Sequence, residues 1–383
     1  MKRRLVILTE IIAPYRIPVF NALAARAEVD LHVIFLAETD PGLRQWQVYH
    51  DEIRFSYQVL KSYRRRVRRF NVLLTRGVSA ALRARNPDVM LSGGYNYPAM
   101  WEAQRWARRR GVPFVLWSES NILDARKNFR GVEALKRRFI HACQRYVVPG
   151  ASAAAYLQTF GVAQERIFIA PNAVDVERFS EGAEQARQDS GLRQRLRLPR
   201  RYLLYVGRFV RTKGVFDLLA AYAKLPEGIR GDVGLVLAGD GEEFPELLRQ
   251  SREIHPGTVL FPGFLQRNEL PAFYALAEAL VFPTHSDPWG LVVNEAMACG
   301  LPVIVSEVAG CVADLARDGE NGYVVGAGDP QALSRAMDRL LNAPELRRQM
   351  GHRSLEISSQ FTPEVWAEGL VRAIAGNLGE SRG

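Results

Sequence analysis

The 383-residue chain is 48% hydrophobic and 24% charged, an ordinary globular balance that excludes wholesale disorder and repetitive fibrous structure. Its length exceeds what one hydrophobic core comfortably organises, so two domains are expected. The net charge of +10 is segregated: residues 1–150 hold 27 Lys+Arg against 12 Asp+Glu, a balance of +15, whereas the remainder stands at −5. An asymmetry of this size suggests that the first half faces something anionic.

Lys2-Arg3-Arg4 introduces an apolar run, but Glu10 ends it too early for a signal-peptide core, and Leu5–Thr9 reads as a first buried strand. No apolar run approaches the roughly 20 residues needed to span a bilayer. Further short apolar runs predict strands at Leu31–Phe35, Asp88–Ser92, Phe114–Trp117, Arg145–Val148 and Arg166–Ile169, with helices over Val72–Ala84, Tyr97–Arg109 and Glu133–Cys143. The runs are continuous rather than alternating, as in a parallel sheet covered on both faces. The polar stretch 179–200 interrupts the rhythm and is the linker candidate, with part of it open to a helical reading. Strands then resume at Tyr202–Val206, Val233–Ala238, Thr258–Phe261, Ala279–Phe282, Val303–Val305 and Gly322–Val325, and a helical tail follows Pro330. The expected division is a first domain over 1–178, the linker 179–200, a second domain over 201–360 and a tail over 361–383. Cys143, Cys299 and Cys311 form no paired or zinc-like spacing, which fits a reducing, cytoplasmic compartment.

The segment Lys61-Ser62-Tyr63-Arg64-Arg65-Arg66-Val67-Arg68-Arg69-Phe70 places six cations in ten residues. Phosphate backbones, anionic lipid and plain solubility compete to explain it. No helix-turn-helix, zinc-finger or RRM signature accompanies it, so no nucleic acid is expected. Clusters of this size attract anionic membrane surface at about 1 kcal/mol per cation.

Motifs with chemistry concentrate in the second half. The strand ending at Gly207 is followed by Arg208-Phe209-Val210-Arg211-Thr212-Lys213-Gly214, at the carboxyl edge where open α/β sheets bind ligands. Arg208 offers a planar fork and Lys213 a point charge, which together suit a diphosphate; alone, the loop is equally a solvated basic turn. Ala238-Gly239-Asp240-Gly241 allows close backbone approach, or a plain tight turn, but lacks the third glycine of a nicotinamide fingerprint. Asp287-Pro288-Trp289-Gly290-Leu291-Val292-Val293-Asn294-Glu295 sets one carboxylate before a helix and another within it, both candidates to accept hydrogen bonds from sugar hydroxyls. No Asp-x-Asp pair occurs, so no metal site is expected.

The run from Asp287 to Pro302 resembles the acidic-x7-acidic signature of the retaining glycosyltransferases of family four, where both positions are usually Glu. Gly207-Arg208…Lys213-Gly214, the strand ends at Gly239 and Gly263, and Pro171-Asn172-Ala173-Val174-Asp175…Phe179 resemble the same family. The resemblance implies an α/β GT-B fold: two Rossmann-like, doubly wound domains facing a cleft, with a C-terminal helix returning to the first. It implies a metal-independent hexosyl transfer, with retention, from a UDP- or GDP-linked sugar to a glycan or lipid-linked acceptor, and no other cofactor. Arg208 and Lys213 would hold the diphosphate, Glu295 the ribose and Asp287 the transferred sugar. Gly207, Gly239 and the Trp289-Gly290-Leu291 amides would line the donor, and Gly263-Phe264-Leu265 would lie near the base. The chain departs from the pattern in three places. Asp287 replaces Glu; Ile11-Ile12-Ala13-Pro14-Tyr15-Arg16 replaces a glycine-rich loop; and Ser118-Glu119-Ser120-Asn121 replaces a His-Asp pair. Glu119 is therefore a candidate catalytic contact in the first domain and equally a surface carboxylate. The family's acceptors favour a peripheral position on the inner membrane face. Rival readings are another GT-B activity, such as a nucleotide-sugar epimerase, and a non-catalytic nucleotide-sugar or nucleic-acid-binding module.

Overall fold

The computed structural model describes residues 2–40, 45–67, 70–122, 130–254 and 257–376. The chain divides into two compact units, Met1–Asn172 together with Pro363–Gly383, and Ala173–Thr362.

The first unit contains β1 (Arg3–Thr9), β2 (Val29–Phe35), β3 (Ser56–Val59), β4 (Ser62–Val67), β5 (Phe70–Thr75), β6 (Val89–Ser92), β7 (Phe114–Trp117), β8 (Arg145–Val148) and β9 (Ile167–Ile169). Seven of them form one sheet in the order β3-β2-β1-β6-β7-β8-β9, paired in parallel throughout. The order reverses between β1 and β6, the topological switch point of a doubly wound sheet. The helix Pro363–Ile374 closes this unit: Trp366 is fully buried, with its ring 5.8 Å from Phe20 and 5.4 Å from Trp117. The tail thus returns to the first unit.

The expected helix over Val72–Ala84 is corrected. Residues 70–75 are a strand, and the helix spans Val78–Arg85. β4 and β5 form an antiparallel hairpin in which Arg64 stands opposite Leu73 and Tyr63 opposite Leu74. Leu73 is buried and Leu74 is 53% exposed, so a period of two governs the segment, and the cations of β4 concealed it.

The second unit contains β10 (Arg201–Val206), β11 (Val233–Ala238), β12 (Val259–Gly263), β13 (Ala279–Phe282), β14 (Val303–Ser306) and β15 (Gly322–Val325), ordered β12-β11-β10-β13-β14-β15. All five pairings are parallel. Tyr202 and Leu204 pack into the core on one face, Leu203 and Tyr205 into the core on the other, which is why the sequence reads as an unbroken apolar run. The order reverses between β10 and β13, so the loops that follow those two strands meet at the switch point.

Part of the stretch 179–200 expected as a linker is helical. Val176–Gln188 is a helix capped by Asp175, whose carboxylate accepts from the Arg178 amide at 3.1 Å. Its Phe179, Ala183 and Ala186 are buried, a stripe at helical spacing within polar surroundings. The helix packs on Leu270–Ala275 and Leu291–Ala298 and belongs to the second unit, whose boundary lies before Ala173.

Candidate active site

The loop after β10 and the loop after β13 are joined by direct bonds. Lys213 Nζ donates to Asp287 Oδ2 at 2.5 Å and to the Ser286 carbonyl at 3.1 Å. The buried Thr284 hydroxyl donates to the Thr212 carbonyl, and the His285 amide donates to the same oxygen at 2.9 Å. Gly214 makes this seating feasible. Its φ is +67°, and a Cβ there would stand 1.8 Å from the Pro283 carbonyl oxygen. His285 in turn pairs with Asp217, on the helix that Gly214 precedes.

Asp287 is therefore engaged on both oxygens: Oδ2 by Lys213, and Oδ1 by the Trp289 amide at 3.0 Å. One expectation changes with it. The Trp289 amide already serves the Asp287 turn, and its side chain is core, with Nε1 donating to Asn294 Oδ1 at 2.8 Å. Among the described residues, the Gly290 and Leu291 amides at the start of the helix Leu291–Ala298 have no partner. Those two donors remain for an anion.

Arg208 is exposed, and among the described residues its guanidinium pairs with no carboxylate. Its loop is pinned from beneath, because the Tyr205 hydroxyl donates to the Arg208 carbonyl at 2.9 Å. The strand ends Gly207, Gly239 and Gly263 lie side by side: the Gly207 amide donates to the Ala238 carbonyl, and the Gly239 amide to the Gly263 carbonyl. A Cβ on Gly239 would stand 1.9 Å from the Gly207 carbonyl oxygen, so this edge is built from bare backbone. Beyond Gly263, Phe264 is 39% exposed and Leu265 packs on the core.

Glu295 belongs to a separate small network. Tyr274, fully buried, donates its hydroxyl proton to Glu295 Oε2 at 2.7 Å. Burial pushes the Glu295 carboxyl up to about 7, against the opposing pull of the Tyr274 hydrogen bond and the Arg267 charge. The sequence places Asp287 and Glu295 as a pair. In the structure each has its own partners, and Lys213 is bonded to Asp287 alone of the two.

In the first unit Glu119 follows β7 and forms an ion pair with Arg16, from the turn after β1. Arg16 also donates to Asn172 Oδ1 at 3.1 Å, and its guanidinium lies 4.2 Å from the Trp117 ring centre. The segment that stands in place of a glycine-rich loop thus delivers a largely buried cation to the Glu119 carboxylate. At the switch point itself, Tyr97 donates to Glu10, and Arg64 of the hairpin pairs with Asp40 at 2.5 Å.

Sequence reasoning overlooked Arg16, Tyr205 and Tyr274. The two tyrosines were legible only as a hydroxyl inside an otherwise apolar run. Among the described residues no group of three or more His, Cys, Asp or Glu side chains is gathered as a metal site requires, and no helix is long and apolar enough to cross a membrane.

Residues 192–356 match the profile of the Glycosyl transferases group 1, and residues 20–178 that of Glycosyltransferase Family 4. The chain is 30% identical to a D-inositol 3-phosphate glycosyltransferase of Frankia alni over 70% of its own length and 69% of the relative's. It is 31% identical to the lipopolysaccharide core biosynthesis glycosyltransferase LpsE of Rhizobium meliloti, over 45% of this chain and 49% of that one. Of other curated relatives it spans about half the length, 42% of one and 50% of another. In fold it is similar to Anabaena HepE in complex with UDP-glucose, with a TM-score of 0.74 at 18% identity, covering 97% of this chain and 99% of that one. Both halves of the chain and the strand order of both sheets lead to one assignment: the protein belongs to glycosyltransferase family four and has the two Rossmann-like units of the GT-B fold.

Proposed function

We propose that the protein transfers a hexosyl unit, with retention and without a metal, from a UDP- or GDP-linked sugar to a glycan or lipid-linked acceptor. The observation that carries this reading is the pairing of Lys213 with Asp287 at the switch point of the second sheet, beside an exposed Arg208 that pairs with no carboxylate among the described residues. In this reading Arg208, Lys213 and the Gly290 and Leu291 amides meet the diphosphate charge that a metal would otherwise carry. Glu295 accepts from the ribose hydroxyls, and Asp287 from the transferred sugar while it holds Lys213 in place. The exposed ring of Phe264 offers a surface on which the base stacks. The bond from the anomeric carbon to the diphosphate breaks while the acceptor oxygen bonds to the same face, and the acceptor proton passes to the departing phosphate. Glu119 contacts the acceptor from its ion pair with Arg16 rather than as an isolated carboxylate.

HepE is a protein seen with UDP-glucose, and LpsE is named for lipopolysaccharide core biosynthesis; both support a nucleotide-sugar donor and a glycan acceptor. A lipid-linked acceptor would bring the enzyme to an anionic membrane surface. Of the cations expected to dock there, Arg64 is turned to Asp40 and Glu10, while the Arg66 side chain, Arg68 and Arg69 lie outside what the structure describes. Lys61 and Arg65 are exposed beside Tyr63 at 66% and Leu74 at 53%, which gives the outer hairpin face both charge and apolar contact.

The test is a panel of UDP- and GDP-sugars assayed with excess EDTA, following the anomeric proton by NMR. Product of retained configuration, formed undiminished in EDTA, is expected. Inverted product, or activity restored only by Mn²⁺, overturns the reading.

A further inference from the structure

Five tyrosines are fully buried: Tyr146, Tyr202, Tyr205, Tyr222 and Tyr274. A buried phenol must place its proton somewhere, because an unsatisfied hydroxyl costs about 1–3 kcal/mol. Four of them choose a backbone carbonyl: Tyr146 that of Ile140, Tyr202 that of Phe273, Tyr205 that of Arg208 and Tyr222 that of Val233. Tyr274 donates to a side-chain carboxylate, Glu295 Oε2, at 2.7 Å. Among the described residues the second oxygen, Oε1, accepts no hydrogen bond, so one half of the carboxylate is fixed and the other is open.

The ring behind that hydroxyl is itself held. Phe179 lies 6.2 Å from Tyr274, edge to face, and is 2% exposed. The Cys299 thiol, at the end of the helix bearing Glu295, donates to the Phe179 carbonyl at 3.5 Å. Phe179 closes the Pro171-Asn172-Ala173-Val174-Asp175…Phe179 segment, whose Asn172 meets Arg16 in the first unit. Junction, tyrosine and carboxylate form one packed series.

We infer that Tyr274, backed by Phe179, is the positioning residue for Glu295: it pins Oε2 and so presents Oε1 to the nucleoside end of the donor. The inference rests on the donor-site reading given above. It assigns the junction phenylalanine to donor recognition, and it makes the tyrosine matter for binding rather than for the transfer step.

Calorimetry on the full chain separates the two levels. The probes are UDP, GDP and, as a ligand without ribose, inorganic pyrophosphate, applied to wild type, Tyr274→Phe, Glu295→Gln and the double variant. Tyr274→Phe keeps the ring and removes only the hydroxyl. It is expected to weaken the better-bound nucleoside diphosphate about fivefold while leaving pyrophosphate unchanged, and to add nothing in the Glu295→Gln background. Phe179→Leu, which keeps the hydroxyl but loosens its support, should produce a smaller loss of the same kind and serves if Tyr274→Phe does not fold.

The pH profile gives a readout that a merely structural role would not move. Tyr274, Arg267 and Cys299 face Glu295, with Arg187 bonded to the Cys299 carbonyl. Affinity should rise as pH passes through the Glu295 titration, and the midpoint should move upward in Tyr274→Phe. Unchanged nucleoside diphosphate binding in Tyr274→Phe, with Glu295→Gln weakened, overturns the inference and leaves the donor site standing. Equal loss for pyrophosphate also overturns it. No loss in Glu295→Gln removes the donor assignment and the inference with it.

Discussion

Arg208 and Lys213 are both cations beside one strand end, yet they differ in what they already hold. Lys213 balances a largely buried Asp287, whereas Arg208 pairs with no carboxylate among the described residues. Alanine at either position should weaken nucleoside diphosphate binding by about 1.5–3 kcal/mol, the usual worth of a charge-assisted contact. Only Lys213→Ala should also lower the melting temperature, by the cost of leaving Asp287 unpaired. Titration calorimetry beside thermal melts checks both halves. Glu295 supplies a second contrast. Its carboxyl titrates at about 7 when folded but near the ordinary 4.5 when unfolded, so folding favours its protonated form. That contribution is complete below the unfolded value and is lost as pH rises through 7. Ligand-free Glu295→Gln should therefore match wild type at pH 4.5 and exceed it by about 1–3 kcal/mol at pH 8, an upper range because part of the residue is solvated. A gap that does not grow between those two pH values contradicts this placement of the carboxyl.

Elements explain which parts of the site could be read in advance. The strands Phe114–Trp117, Val233–Ala238 and Ala279–Phe282 are visible as apolar runs because both sheet faces are covered. The donor loops are visible because each follows such a strand and carries glycine beside charge. The hairpin was not, since Arg64 is an inward position whose partners, Asp40 and Glu10, lie far away in sequence. Nor was Arg16, because a guanidinium seated on Trp117 looks like any surface arginine until the strands are ordered. Tyr274 escaped for the same reason: its carboxylate partner is 21 residues further along the chain. The Lys213 loop also makes a mechanical prediction. Gly214→Ala would press a methyl group onto the Pro283 carbonyl oxygen in a left-handed backbone, forcing the β10 and β13 loops apart. A loss of more than about 2 kcal/mol in stability is expected, with donor affinity falling in parallel. Donor affinity that survives intact would mean that the two loops need not touch.

At the scale of the whole molecule, Trp366 shows how the first unit is completed. Its fully buried indole fills the space between Phe20 and Trp117, and the helix that carries it packs along Ile17–Ala24 and β9. Trp366→Ala should cost about 3–5 kcal/mol, all of it in the first unit. Scanning calorimetry should show one transition moved down and the other, from Ala173–Thr362, left in place; a single transition lowered as a whole would mean that the units melt together. The tail that bears Trp366 has a consequence for synthesis. Every strand of the first unit is made before residue 173, but the helix that seals it is made only after the entire second unit. While the ribosome is still working, the first sheet waits with Phe20 and Trp117 uncovered, and the second unit, complete within its own span, is free to fold first. The first sheet therefore stays without its sealing helix throughout synthesis of the second unit, and its uncovered apolar surface is open to aggregation for that interval.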